Sequence, residues 1–337
     1  MGQQIHEAEL SRALAGYAGG RWAVRERSLV SLRSGVGGRR VPLRLVWAAP
    51  FPLAAAAGSL LYGRADLVHR LDLRCPPSIT REVVTVHDLP PLRFDDEGSL
   101  PSWGARSARA AALVICPSEF AAAEARALLG VTRTRVVPNG VDLTRAEAAP
   151  FSDAELDSLG IALPFVLHAG GATKRKNLAA LAAAWPAVLA EHPDARLVLC
   201  GPPHPRRDEL FATVANARYL GHRDSTFVAR LMRTAAAVVV PSTYEGFGLP
   251  ALEAMAAGTP VVAAARGALP EVCGDGAALL VEPTPAELAR GIGETLAGGD
   301  PVDARVAAGL RRAREFTWEH AARATASVYD EAIGERV

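Results

Sequence analysis

Short valine-rich apolar runs alternate with segments of helical spacing along almost the whole chain. That alternation restricts the fold more than any other feature, because it predicts repeated strand–helix units and mainly parallel sheets. In the first half the expected strands are "RLVWA", "LVHRL", "EVVTVHD", "LVICPS" and "TRVVPN", with another within "WAVRERSLVSL". In the second half they are "PFVLHAG", "RLVLCG", "RYLG", "AVVVPS", "PVVAA" and "ALLVEP". Intervening segments such as "NLAALAAAWPAVLAEH" read as helices, and "FTWEHAARATASVYDEAI" reads as one terminal helix.

A length of 337 residues allows two domains, each with its own core. The polar, proline-containing stretch "GVDLTRAEAAPFSDAELDSLG" lacks strand alternation and reads as the linker, with the boundary near Ala149 to Leu163. The expected division is residues 1–150, residues 151–315 and a terminal helix over 316–337. A doubly wound domain ordinarily opens with a strand that becomes central in its sheet. Here "GQQIHEAELSRALAGYAGG" already reads as a helix ending at a glycine pair, so the N-terminal domain is expected to lack its first strand and the loop after it.

Charge and cysteine content narrow the partners. With 37 basic and 36 acidic residues and half the chain hydrophobic, neither disorder nor nucleic-acid binding is indicated. The first 44 residues hold eight Arg against three Glu, a bias suited to an anionic acceptor or a membrane surface. A solvated face is the plainer reading. Cys75, Cys116, Cys200 and Cys273 have no paired spacing, which argues against a disulfide framework or a zinc site and fits a reducing compartment. The stretch "WAAPFPLAAAAGSLLYG" carries Pro50 and Pro52 and is short for a membrane span, so it reads as a helix after a proline-rich turn. Of the 37 basic residues only Lys174 and Lys176 are lysines, and both fall in "TKRKN".

Ligands of open α/β sheets gather at the carboxyl ends of the strands. "AVVVPS" delivers "TYEGFG", "PFVLHAGG" delivers "ATKRKN", "EVVTVHD" delivers His87 and Asp88, and "RLVLCG" delivers "PPHPRR". Gly246 and Gly248 place Glu245 in a loop, Pro250 suits the first turn of a following helix, and Glu253 lies in that helix near its start. The amides of Phe247, Gly248 and Leu249 suit a phosphate, whereas carboxylates accept hydrogen bonds from hydroxyls. The combination fits a ligand that carries both sugar hydroxyls and phosphates. Arg175 and Lys176 could neutralise a departing diphosphate, with Asn177 as the cap of the next helix. His87 reads equally as a core-edge histidine bonded to backbone.

Together with "VVTVHDLPPL", "ICPSEFAAAEAR", "VVPNGVDL", "GGATKRKN", "RYLGHRDSTFVARLMRTAAAVVVPS" and "ALPEVCGDGAALLVEP", the segment "PSTYEGFGLPALEAMAAGTPVVAA" resembles the retaining glycosyltransferases of family 4. The resemblance covers most of the chain after about Leu67. It implies the GT-B fold, in which two Rossmann-like doubly wound domains face a cleft and the terminal helix crosses back to the first domain. It also implies a nucleotide-sugar donor of the GDP-mannose or UDP-hexose type and no metal or other cofactor. A hydroxyl acceptor, glycan or lipid-linked, would bind the N-terminal domain. Glu245 would contact donor sugar hydroxyls, Glu253 the donor ribose, and Lys176 with Arg175 the diphosphate. The amides of Phe247, Gly248 and Leu249, beside Gly246, would complete that site, and His87 would lie near the transferred sugar. Family members often carry an Arg near the position of Gly171, a role Arg175 is expected to take. They also open with a strand and a Gly-rich loop lining the cleft. The rival expectations are an inactive nucleotide-sugar binder and a sugar-nucleotide epimerase or phosphorylase of the same fold. The expected location is the cytoplasm, including the inner face of the membrane.

Overall fold

The computed structural model describes residues 2–17, 22–32 and 38–334. The chain divides into two compact units, Met1–Gly140 with Trp318–Val337, and Val141–Thr317.

The first unit runs α1 (Gly2–Tyr17), β1 (Leu29–Ser31), β2 (Arg39–Val41), α2 (Leu43–Ala48), α3 (Phe51–Tyr62), β3 (Val68–Arg70), β4 (Glu82–Thr85), α4 (Gly104–Ala110), β5 (Leu113–Cys116), α5 (Glu119–Glu124) and β6 (Thr134–Val136). Strands β3, β4, β5 and β6 form one parallel sheet in that order, and β1 pairs with β2 in a sheet of its own. Val83, Val84, Val114 and Ile115 are buried because helices cover both faces, as parallel sheets require. Among the described residues β3 is an edge strand of the four-stranded sheet.

The C-terminal helix (Trp318–Ile333) belongs to this unit and packs against α1 and the sheet through Trp318, Ala322 and Tyr329. Tyr329 Oη lies 2.7 Å from His69 Nδ1, and His69 Nε2 lies 2.8 Å from Thr85 Oγ1. Burial pushes the His69 imidazole down to about 3, so it stays neutral and serves as a fixed donor–acceptor link. The expected stop of α1 at its glycine pair lies outside the described residues.

One expected strand is corrected. "RLVWA" lies in helix α2, none of whose residues is buried. Pro42 stands at its N-cap with φ −73, and Trp103 Nε1 donates to the Val46 carbonyl, so the run sits on the surface. Of "WAVRERSLVSL", only Leu29–Ser31 is strand.

The second unit runs α6 (Leu143–Ala146), α7 (Asp153–Leu159), β7 (Phe165–Ala169), α8 (Leu178–Glu191), β8 (Arg196–Cys200), α9 (Pro205–Phe211), β9 (Ala217–Tyr219) and α10 (Ser225–Thr234). It continues with β10 (Ala237–Val240), α11 (Leu249–Ala256), β11 (Val261–Ala264), α12 (Leu269–Cys273), β12 (Leu279–Val281), α13 (Pro285–Ala297) and α14 (Asp300–Ala313). Its six strands are parallel in the order β12-β11-β10-β7-β8-β9. The chain therefore winds outward from β7 through β8 to β9, then returns to β10 on the other side. That reversal puts the topological switch point between β7 and β10. The stretch expected as a linker holds α6 and α7. Phe151 within it is buried, stacks edge-on against Phe227 at 4.9 Å and lies under the Arg230 guanidinium at 4.0 Å.

Candidate active site

The loops leaving β7 and β10, the two strands at the switch point, carry the residues singled out from sequence. After β7 the chain passes Gly170 and Gly171 and makes a short 3₁₀ turn at Lys174–Lys176. After β10 it runs through Pro241 to Gly248, where α11 begins. The two loops are stitched together, since the Arg175 carbonyl accepts the Thr243 N–H at 2.8 Å.

At their junction Lys176 Nζ donates to Glu245 Oε1 at 2.6 Å, and Arg175 Nη1 reaches Glu245 Oε2 at 3.3 Å and the Tyr244 carbonyl at 3.2 Å. Glu245 is buried. Burial alone would raise its carboxyl, but the Lys176 and Arg175 charges outweigh it and hold the group down at about 2. The site thus contains a permanently ionised carboxylate with two cations on it. Lysine has three N–H donors, so Lys176 keeps donors beyond the one spent on Glu245.

The turn into α11 is shaped by Gly248, whose φ is +101 and whose Cβ would stand 2.7 Å from Leu269 Cδ2. Among the described residues no backbone acceptor takes up the N–H groups of Phe247, Gly248 or Leu249. Gly246 is buried beside them, and Phe247 is fixed edge-to-face on Phe316 at 5.8 Å. Gly171, by contrast, faces open space, and a Cβ added there would meet nothing within 4 Å.

Glu253 lies within α11, half-buried, and its carboxyl is pushed up to about 7 by burial, with Arg145 opposing the shift. Arg145 comes from α6, which packs on α11, and is oriented by Asp142 at 2.9 Å. Sequence reasoning passed over Arg145; its neighbour Asp142, the cap of α6, was the available signal.

Asn177 stands at the N-cap position of α8 as expected, but it does not cap the helix with its side chain. Its φ is +53 and its side chain makes no cap bond; instead Nδ2 donates to the carbonyls of Pro241 at 3.1 Å and Pro283 at 2.9 Å. In the left-handed conformation the amide is turned onto the neighbouring loops and away from its own helix. Two further residues were missed. His168, in β7, is buried, kept neutral by a pKa lowered to about 4 chiefly through burial, and bonded through Nδ1 to the Val239 carbonyl at 3.2 Å. Arg207 is buried, donates to the carbonyls of Pro202 at 2.5 Å and Gly170 at 2.6 Å, and stacks over Tyr219 at 4.8 Å. Together they fix the strand end from which the Gly171–Lys176 loop departs.

His87 belongs to the first unit, just past β4. Burial lowers its pKa, against Asp88 and Asp72, and Nε2 donates to the Leu71 carbonyl at 3.1 Å, which identifies the neutral tautomer with its proton on Nε2.

Comparison with known proteins bears on the family of the chain. Residues 164–298 match the family model "Glycosyl transferases group 1" and residues 18–145 match "Glycosyltransferase Family 4". The chain is 34% identical over 315 residues to alpha-maltose-1-phosphate synthase of Mycolicibacterium smegmatis, covering 82% of this chain and 76% of that one. It belongs to glycosyltransferase family 4. It is 30% identical over 289 residues to O-antigen chain mannosyltransferase B of Escherichia coli, covering 78% of this chain and 74% of that protein. Among solved structures, sucrose-phosphate synthase from Thermosynechococcus elongatus superposes with a TM-score of 0.74 at 27% identity, covering 98% of this chain and 93% of that one. The chain is therefore a retaining glycosyltransferase of GT-B fold that draws on a nucleotide-sugar donor.

Proposed function

We propose that this glycosyltransferase moves a hexose from a GDP-mannose or UDP-hexose type donor to a hydroxyl of a glycan, glycolipid or glycoside acceptor. The observation that carries the reading is the Lys176–Glu245–Arg175 cluster at the switch point of the second unit. A diphosphate at the amides of Phe247, Gly248 and Leu249 would meet a helix N-terminus, the remaining N–H donors of Lys176 and the positive charge of Arg175. Glu245, ionised and acceptor-only, would take hydrogen bonds from sugar hydroxyls; Glu253 would do the same for the ribose. The two cations and the amides then face the bond that breaks, where negative charge grows on the leaving diphosphate.

No protein nucleophile is assigned. Retention is accounted for by attack of the acceptor hydroxyl on the face the diphosphate leaves, with a diphosphate oxygen taking the hydroxyl proton.

Transfer assays with GDP-mannose and UDP-hexoses against a panel of hydroxyl acceptors test this directly. Lys176→Ala and Glu245→Ala should each lower transfer by at least about 100-fold, the scale of one lost charge-stabilising group, with melting curves that remain cooperative. Near-wild-type turnover in both variants would remove the assignment. An epimerised donor, or donor binding without transfer, would replace it.

A further inference from the structure

Helix α3 inverts the usual amphipathic arrangement. Its buried face is made of small residues, Ala54, Ala55 and Gly58. Gly58 allows direct contact with the following segment, for a Cβ there would stand 2.0 Å from the Pro77 carbonyl oxygen. Ser59 bonds Ser78 Oγ and the Ile79 N–H, each at 3.0 Å, and Tyr62 donates to the Pro76 carbonyl at 2.6 Å. Two of its leucines point the other way. Leu53 and Leu60, two turns apart on one side of the helix, are 64% and 78% exposed. Ile79, fastened beside Ser59, is 80% exposed.

Leu45 of the adjoining α2 is 73% exposed. That helix is held by its backbone and its tryptophan: Trp103 Nε1 and Ser102 Oγ donate to the carbonyls of Val46 and Trp47, and Trp47 Nε1 to that of Arg74. A helix serving only an interior buries its leucines. Grouped apolar side chains left on a surface mark an interaction site.

The surrounding charge is predominantly positive. Between Trp22 and Asp66 there are seven Arg against Glu26 and Asp66. Arg39, Arg40, Arg44 and Arg64 are exposed, with Arg39 tied to the end of α3 through the Leu61 carbonyl at 3.1 Å. A second copy of this face would bring the same arginines together, which disfavours self-association. Apolar knobs among arginines match a bilayer with anionic headgroups.

We propose that the α2–α3 face docks on an anionic lipid bilayer. Leu45, Leu53, Leu60 and Ile79 enter the boundary between headgroups and acyl chains, and Arg40, Arg44 and Arg64 meet lipid phosphates. This does not depend on the donor assignment.

Vesicle flotation of the full chain tests the proposal. The chain should float with vesicles of phosphatidylglycerol and phosphatidylcholine in equal parts, not with phosphatidylcholine alone, and salt should weaken the binding. Leu53→Glu combined with Leu60→Glu should reduce vesicle affinity at least about tenfold, since charged residues on such a face oppose insertion. Arg40→Ala, Arg44→Ala and Arg64→Ala together should remove the preference for anionic lipid. All of these positions are exposed, so melting curves should match the wild type, and the single Leu60→Gln should give an intermediate loss without any risk to folding. Absence of wild-type flotation would overturn the proposal, as would equal flotation of the Leu53 and Leu60 double variant. Self-association that the double variant abolishes, in a chain that ignores vesicles, would overturn it in favour of a second copy.

Discussion

Glu245 and Glu253 bracket one turn, yet their carboxyls are pulled in opposite directions, to about 2 by Lys176 and Arg175 against burial and to about 7 by burial itself. The consequences for stability are opposite in sign. Glu245 contributes stability at pH above its ordinary carboxyl range, and that contribution is lost as pH falls toward 2. For Glu253 the folded state disfavours the charge, so the penalty is absent below about pH 4.5, grows as pH rises, and is complete above about pH 7. Glu253→Gln cannot ionise and should therefore be more stable than wild type at pH 8, by roughly 1–3 kcal/mol, with the gain shrinking toward pH 5. Denaturant melts at the two pH values check this; a pH-independent difference would show that the carboxyl titrates normally. The glutamates themselves were legible in the sequence, because two carboxylates around a Gly-rich turn are chemically conspicuous. Their opposed titration was not. It depends on the burial of Glu253 and on Lys176 and Arg175, which reach Glu245 from another loop.

At the scale of elements, the two glycines of the site separate by what surrounds them. Gly248 combines a positive φ with a close Leu269 contact, so Gly248→Ala should cost roughly 1–3 kcal/mol in denaturant melts. Gly171→Ala meets nothing within 4 Å and should leave stability within about 0.5 kcal/mol, while lowering nucleoside-diphosphate affinity by filling space beside the Lys176 turn. Equal destabilisation by both would contradict the distinction. Strands such as Phe165–Ala169 and Ala237–Val240 could be read from sequence because both faces are buried and the runs are almost entirely apolar, His168 being the exception. "RLVWA" could not, since a short apolar run has no period that tells helix from strand. The side chain of Asn177, though at the N-cap position, was given the wrong partners for a related reason. Its conformation is decided by the carbonyls of Pro241 and Pro283, remote in sequence. Asn177→Ala should cost roughly 1–3 kcal/mol, against a smaller loss expected of an exposed cap.

At the scale of the whole molecule, the chain returns at Trp318 to the unit in which it began. Tyr329 anchors that return through His69, and Tyr329→Phe should destabilise by roughly 0.5–1.5 kcal/mol in a thermal melt. An unchanged melt would mean that apolar packing alone holds the helix. The central claim concerns the second unit, where the switch between β7 and β10 brings Lys176, Arg175 and Glu245 together below the start of α11. Calorimetric titration of the full chain with GDP and UDP tests it most directly. The account predicts saturable binding of at least one of them, weakened at least about tenfold, or 1.4 kcal/mol, in Lys176→Ala. Binding of the same strength in wild type and Lys176→Ala would contradict it.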